Sequence, residues 1–209
     1  LVTPMRRSAE EKAQQQAERA EIEATLGSLP YSHEVTIALD SFSGYAVLRS
    51  KTFEGLLRRK GIKLELVDDG ANYTDRLDSL RAGKTQMAAF TVDALIKTSA
   101  KAGQLPATIV ALIDETRGAD AMLAYKSAIS NVDALNHPDV RFVLTPDSPS
   151  ETLTRVVMST FALDQLPAEP FTLARDAADV YQRYRRSQKN SRQVFVLWEP
   201  YVSKILADN

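Results

Sequence analysis

Arg141-Phe-Val-Leu-Thr-Pro-Asp-Ser-Pro-Ser-Glu-Thr152 is the stretch whose reading decides the fold. Arg141 to Leu144 is a short apolar run of strand type, and Leu153 to Leu163 continues as a helix. Between them Ser148 has the chemistry of an N-cap, Pro149 suits the first helical position, and Glu151 completes a capping box. A strand that passes through a hydroxyl-rich turn into a helix presents free backbone N–H groups and the positive end of a dipole. Small anionic groups bind at such places. The same residues also suit a helix start that binds nothing, so the weight of the stretch depends on whether other strand ends meet it.

The pattern on either side alternates strand and helix. Upstream, strands are expected at 35–39, 63–67, 86–90 and 108–113, with helices at 45–60, 74–82 and 93–102, the last three stopped by Gly61, Gly83 and Gly103. Downstream, strands are expected at 121–125, 141–144 and 194–198, with helices at 131–136, 150–163, 175–186 and 201–206. Repeated β-α units imply an α/β fold with mostly parallel sheets and helices on both faces. Two such series without a long linker suggest two facing lobes, 32–116 and 117–209. Residues 6–26 read as an Ala/Glu-rich helix with large apolar residues only at Ile22 and Leu26, so 1–31 reads as a linker helix ahead of the lobes.

Composition narrows the function. The chain has 209 residues, 44% hydrophobic and 25% charged, with a net charge of −1. That balance lacks the basic excess of a general nucleic-acid binder. There is no cysteine, which excludes disulfides, thiolate catalysis and zinc-thiolate sites. No apolar run approaches the roughly 20 residues that span a bilayer. The sequence begins with Leu1 rather than Met, in keeping with removal of an export signal. His33 and His137 stand apart without metal-ligand spacing, and no Gly-x-Ser-x-Gly elbow, Walker loop or dinucleotide fingerprint occurs. Neither an enzyme nor a cofactor is therefore expected.

In open parallel sheets ligands bind beyond the carboxyl ends of the strands. The first strand ends in Asp40-Ser-Phe-Ser-Gly-Tyr45, which offers Ser41 and Ser43, with Gly44 allowing close approach of a ligand to the backbone. The third ends at Phe90-Thr91. A polar cluster, Asp114 to Asp120, follows the fourth, and its Arg117 has the shape to clamp an oxyanion in a bidentate manner. The last ends in Trp198-Glu-Pro-Tyr201, where Trp198 suits a pocket wall.

The order of these motifs resembles the type 2 periplasmic solute-binding proteins, in particular the branch of nitrate-, sulfonate- and taurine-type binding components of ABC transporters. The likeness is carried by Ser41-Phe-Ser-Gly-Tyr45, Gly83-Lys-Thr-Gln-Met-Ala-Ala-Phe90, Gly118-Ala-Asp-Ala-Met-Leu123, Asp147 to Thr152, and Phe195-Val-Leu-Trp-Glu-Pro-Tyr201. The chain is still more similar to phosphate-type substrate-binding domains, which are often fused to a peptidoglycan-binding domain. The resemblance covers roughly residues 33 to 206. It implies a Venus-flytrap fold that closes around a small solute, a periplasmic or cell-envelope location, and an ABC permease as partner. It also implies that Ser43, Tyr45 and Thr91 approach the solute from the first lobe, and Arg117, Asp120, Ser148, Ser150 and Trp198 from the second lobe or hinge. Such domains return to the first lobe after the Trp-Glu-Pro stretch, and the sequence ends at Asn209 before that return.

Charge complicates an anionic ligand. Asp40, Asp93, Asp114, Glu115, Asp120, Asp147, Glu151 and Glu199 all fall at strand ends, with Arg117 the single base among them. A phosphate or sulfonate suits the hydroxyls and helix N–H groups, whereas an aspartate suits a solute amine, so an oxyanion and a small zwitterion both remain open. The same fold serves envelope sensors without transport, effector domains of LysR-type regulators, and a few enzymes that rely on His and Cys.

Overall fold

β1 (His33–Leu39) passes from exposed to buried along its length, and Ile37, Ala38 and Leu39 are enclosed at its carboxyl end. It is the central strand of a three-stranded sheet of order β2-β1-β3, paired in parallel with both β2 (Ile62–Asp68) and β3 (Met87–Ala88). β2 alternates half-buried Leu64 and Leu66 with exposed Lys63 and Glu65, as an edge strand with one covered face does. Helices α1 (Lys51–Arg59), α2 (Tyr73–Arg81) and α3 (Val92–Ala102) follow the three strands in turn. Ser50 and Asn72 cap α1 and α2 by accepting from Phe53 N and Asp75 N, and Gly103 ends α3 in the left-handed region at φ 75°. These features come from a computed structural model, which describes residues 31–208 and, upstream, Ala17 and Ala20 as helical. The linker helix expected over 6–26 otherwise lies outside the described residues.

The second sheet has the order β4-β7-β5-β6. β7 (Gln193–Trp198) runs antiparallel to β4 (Asp120–Leu123) and parallel to β5 (Arg141–Leu144), and β5 pairs in parallel with β6 (Phe171–Leu173). Val194 to Trp198 are all buried, which is the outcome for a continuous apolar run covered on both faces. Phe195 and Leu197 join a cluster with Val180 and Tyr184 of α5 (Ala177–Arg186) and Val202 and Ile205 of α6 (Tyr201–Ala207). Val194 and Val196 join one with Phe142 and Leu144, against which Leu153 and Val157 of α4 (Pro149–Thr160) pack. Each fully buried Val or Leu contributes about 2 kcal/mol.

In both sheets one strand has its successors on either side, β1 between β2 and β3, and β5 between β6 and β7. The crevice beyond the carboxyl end of such a strand is the ligand position of open α/β sheets. The turns after Leu39 and Leu144 occupy those two places. This is the expected α/β architecture of two mostly parallel sheets flanked by helices.

Four local expectations are corrected and one strand is added. Thr108–Ile113 forms no strand: β3 offers only two paired residues, no described strand lies beyond it, and Val110 and Leu112 are 72% and 88% exposed. β6 was not visible in the sequence, because three residues with an exposed Leu173 show no period. The expected helix over 45–60 divides into a 3-10 turn (Ser43–Val47) and α1, since the Ser50 side chain caps a new start; the helix over 131–136 contracts to a 3-10 turn (Asp133–Leu135). The capping box does not form. Ser148 Oγ donates to Thr145 O at 2.6 Å, and Glu151 Oε2 accepts from Asp147 N at 2.7 Å instead of from Ser148.

Candidate functional site

The carboxyl ends of the two sheets meet. Ser43 N donates to Glu199 O at 3.4 Å, and Thr152 Oγ1 donates to Asp93 Oδ2 at 2.6 Å. Lys97 Nζ lies 2.9 Å from both Glu151 Oε2 and Asp147 Oδ1, and Lys101 Nζ lies 2.7 Å from Asp147. Ala71, Tyr73 and Ala94 share one apolar cluster with Ala174, Ala177 and Trp198, and Phe42 and Phe90 pack against it. The first turn of α3 and the first turn of α4 are thus held together across the junction. An open groove of about 690 Å³ beside it is lined by Lys97, Lys101, Asp147, Glu151 and Arg155 among others, but its cations are already paired with its carboxylates.

The expected site residues divide into two groups. Ser41 and Ser43 are exposed in the turn after β1. Gly44 is pressed by Asp114 Oδ2 and the Phe42 ring, which occupy the space a Cβ would need. Tyr45 is buried under Phe42, ring centroids 5.3 Å apart, and burial with the neighbouring Asp40 charge pushes its phenol above the ordinary range. Arg117 points to solvent, its side chain 83% exposed and 3.4 Å from Glu115. The Ser148 hydroxyl is spent on Thr145 O.

Thr91, Asp120, Ser150 and Trp198 behave differently. Ser150 Oγ, Trp198 Nε1 and Asp120 Oδ1 are each buried with no hydrogen-bond partner, and Thr91 Oγ1 is buried beside the Tyr73 phenol. Ser150 is fully buried and Trp198 is 4% exposed. Asp120 and Trp198 are direct partners in the β4–β7 ladder, so their side chains share one face. Asp93 is near enough to Asp120 for their charges to interact, and Asp93 in turn holds Thr152 in the helical turn that carries Ser150. Thr91 precedes α3 by one residue. Thr145 Oγ1, at the end of β5, is also unpartnered. Other unpartnered groups, such as Thr85 and Ser191, stand before their strands, away from these carboxyl ends. Burial and, secondarily, Asp93 raise the Asp120 carboxyl to about 6.

Arg76 was missed in the sequence. Its side chain is fully buried, with Nε donating to Asp69 Oδ2 at 2.7 Å, Nη2 donating to Asp40 Oδ2 at 3.1 Å and Nη1 donating to Ala89 O. The guanidinium lies over the Tyr73 and Phe90 rings. It ties the carboxyl ends of all three strands of the first sheet and positions both aromatics. An Asp-Asp-Gly turn followed seven residues later by Arg on a helix was the available signal.

No family model and no curated protein matches the chain. Among solved structures, it is similar to the alkanesulfonate-binding protein SsuA from Xanthomonas axonopodis pv. citri bound to MOPS, with TM-score 0.65 and 17% identity over 86% of this chain and 59% of that one. The periplasmic aliphatic sulphonate-binding protein SsuA from Escherichia coli gives TM-score 0.53 and 16% identity over 85% of this chain and 58% of that one. The ancestral amino acid-binding protein AncCDT-1, a precursor of cyclohexadienyl dehydratase, gives 0.51 and 14% over 91% and 78%. The chain spans less than two thirds of the length of the two sulfonate-binding proteins. Its fold is that of the type 2 periplasmic solute-binding proteins.

Proposed function

We propose that the chain is a non-enzymatic, extracytoplasmic solute-binding domain whose lobes, 32–116 and 117–209, close on a small polar solute for delivery to an ABC permease. The observation that carries this reading is the set of unpartnered polar atoms on Asp120, Ser150 and Trp198, buried at the strand ends of the second lobe, with Thr91 of the first lobe held beside the Tyr73 phenol. Folded proteins pair nearly all such groups, because an unpaired one costs about 1–3 kcal/mol. A solute that supplies the missing partners recovers that cost on binding. The fold neighbours, which are solute-binding proteins, support the same reading. An oxyanion such as phosphate or a sulfonate, or a small zwitterion, offers acceptors to Trp198 Nε1 and the hydroxyls.

A thermal-shift screen of oxyanions, sulfonates, amino acids and amines tests it. At least one solute should raise Tm, and Ser150→Ala and Trp198→Phe should each reduce that shift. A shift unaltered in both variants would remove the site. A second reading, a cell-envelope sensor or a domain fused to a peptidoglycan-binding module, is favoured by the Ala/Glu-rich residues 6–26, which suit a tether. Deleting the gene abolishes uptake of the identified solute if the domain serves transport and leaves uptake unchanged if it serves sensing.

A further inference from the structure

The acids at the strand ends are satisfied one by one, with a single exception. Asp40 pairs with Arg76 at 3.1 Å, and Asp147 with Lys97 and Lys101. Glu151 pairs with Lys97 and Arg155, and Glu115 with Arg117. Asp93 accepts from Thr152 Oγ1, Asp114 from Glu115 N, and Glu199 from both Ser203 N and Ser203 Oγ. Asp120 Oδ1 is buried and accepts from nothing.

The cations close by are equally committed. Arg76 is saturated by Asp40, Asp69 and Ala89 O, and Lys97, Lys101 and Arg155 are held by Asp147 and Glu151. Lys204 of α6, which packs on β4, lies over the Tyr201 ring. Asp93 is the charged group that acts on Asp120, and it adds a like charge. Trp198, opposite in the ladder, and Ser150 of α4 are neutral and unpartnered.

A solute entering here therefore meets uncompensated negative charge beside a neutral donor. We infer that the site is selective for an organic solute bearing an ammonium group, seated against Asp120, with an acceptor on the same solute taking Trp198 Nε1. The inference rests on the cleft reading above and narrows it, since an anion without an amine would face Asp120 and Asp93 with no free cation beside them among the described residues. A bare metal ion fits less well, because no group of three or more His or carboxylate ligands occurs among the described residues.

Calorimetric titration at pH 7.5 with n-butylamine, leucine, taurine, 1-butanesulfonate and inorganic phosphate tests it. Butylamine and butanesulfonate present the same chain with opposite head groups. At least one ammonium-bearing probe should bind the wild type, with butanesulfonate and phosphate silent, and Asp120→Asn should weaken that binding at least tenfold. The same wild-type affinity should fall as pH is lowered from 7.5 to 5 and Asp120 takes up a proton, a readout that needs no variant. Binding of butanesulfonate or phosphate in preference to the amines, unchanged or improved in Asp120→Asn, overturns the ammonium inference and leaves the cleft reading standing. An affinity for the amines that does not change between pH 7.5 and 5 also overturns it. Silence from all five probes overturns both.

Discussion

Lys97 on α3 and Glu151 on α4 stand 2.9 Å apart across the junction of the two lobes, and each belongs to a wider set in which Asp147, Lys101 and Arg155 alternate in charge. The pairing is partly exposed on the Lys97 side, at 34%, so its worth is modest and depends on salt. Glu151→Gln should weaken the contact between the two lobes by about 1 kcal/mol. Small-angle scattering should show a larger radius of gyration for the variant at low salt, and the difference should shrink at high salt. Equal radii at low salt would show that the pair does not hold the lobes.

Acid should act in the same direction. Burial alone would raise the carboxyls of Asp147 and Glu151, but Lys97 and Lys101 around Asp147, and Lys97, the Asp147 N–H and Arg155 around Glu151, outweigh it and hold both below their ordinary values of 3.8 and 4.5. A lowered folded value means stability that is present above the ordinary value and is lost as pH falls through the lowered one. The lobes should therefore separate as pH drops below about 4. Scattering that stays constant from pH 7 to pH 3 would contradict this.

Asp120 should titrate with the opposite sign. Its folded value, about 6, lies above the ordinary 3.8, so its contribution favours folding below 3.8 and is lost as pH rises through about 6. With allowance for partial exposure the loss is about 1–2 kcal/mol. Asp120→Asn should be more stable than the wild type at pH 7 without solute, and the gap should narrow towards pH 4. Denaturant unfolding at the two pH values measures it, and a variant less stable at pH 7 would contradict it.

Arg76 is the position in the first lobe least able to tolerate change. Arg76→Met leaves Asp40 and Asp69 buried or half-buried without their cation and removes the guanidinium from the Tyr73 and Phe90 rings. Breaking a buried pair in this way costs about 3–5 kcal/mol. Unfolding melts should lose the first lobe at lower temperature while the second persists. A loss below 1 kcal/mol would mean that the two aspartates find other partners.

How far the sequence could be read depended on range. Helix stops at Gly83 and Gly103 were legible because they are settled within a few residues. β7 was legible because its apolar run is unbroken. The run from Thr108 to Ile113 misled because period and β-propensity say nothing about whether a ladder partner exists. Ser148 misled differently: its type fits a cap, but a rotation about one bond takes its hydroxyl to Thr145 O. Serines in the turn after β1 are as suitable chemically as Ser150, and only the packing of α4 on β4 and β7 separates an exposed hydroxyl from an enclosed one. Arg76 escaped because its partners, Asp40, Asp69 and Ala89, come from three different strand ends.

The segment from Leu105 to Ile113 should be the first cut in limited proteolysis. Ile109, Val110 and Leu112 are exposed and their backbone joins no ladder, so local opening there costs little. Protease products should map to 104–113, and cleavage in β5 or β7 at comparable rates would contradict the assignment.

If the domain binds a solute as proposed, the unequal construction of the two sheets sets an order of events. β7 is enclosed from Val194 to Trp198, whereas the first sheet is enclosed mainly at the end of β1. Asp120, Ser150 and Trp198 sit on the better-anchored half, so on the proposed reading they would form a fixed receptor before any solute arrives, and Thr91 and the Tyr73–Phe90 pair would be brought to it. Recognition would then be decided on the static side and retention on the moving side. Substitutions at Trp198 should alter which solutes enter, while those at Lys97 should alter how long one stays, a separation that stopped-flow measurement of association and dissociation would reveal.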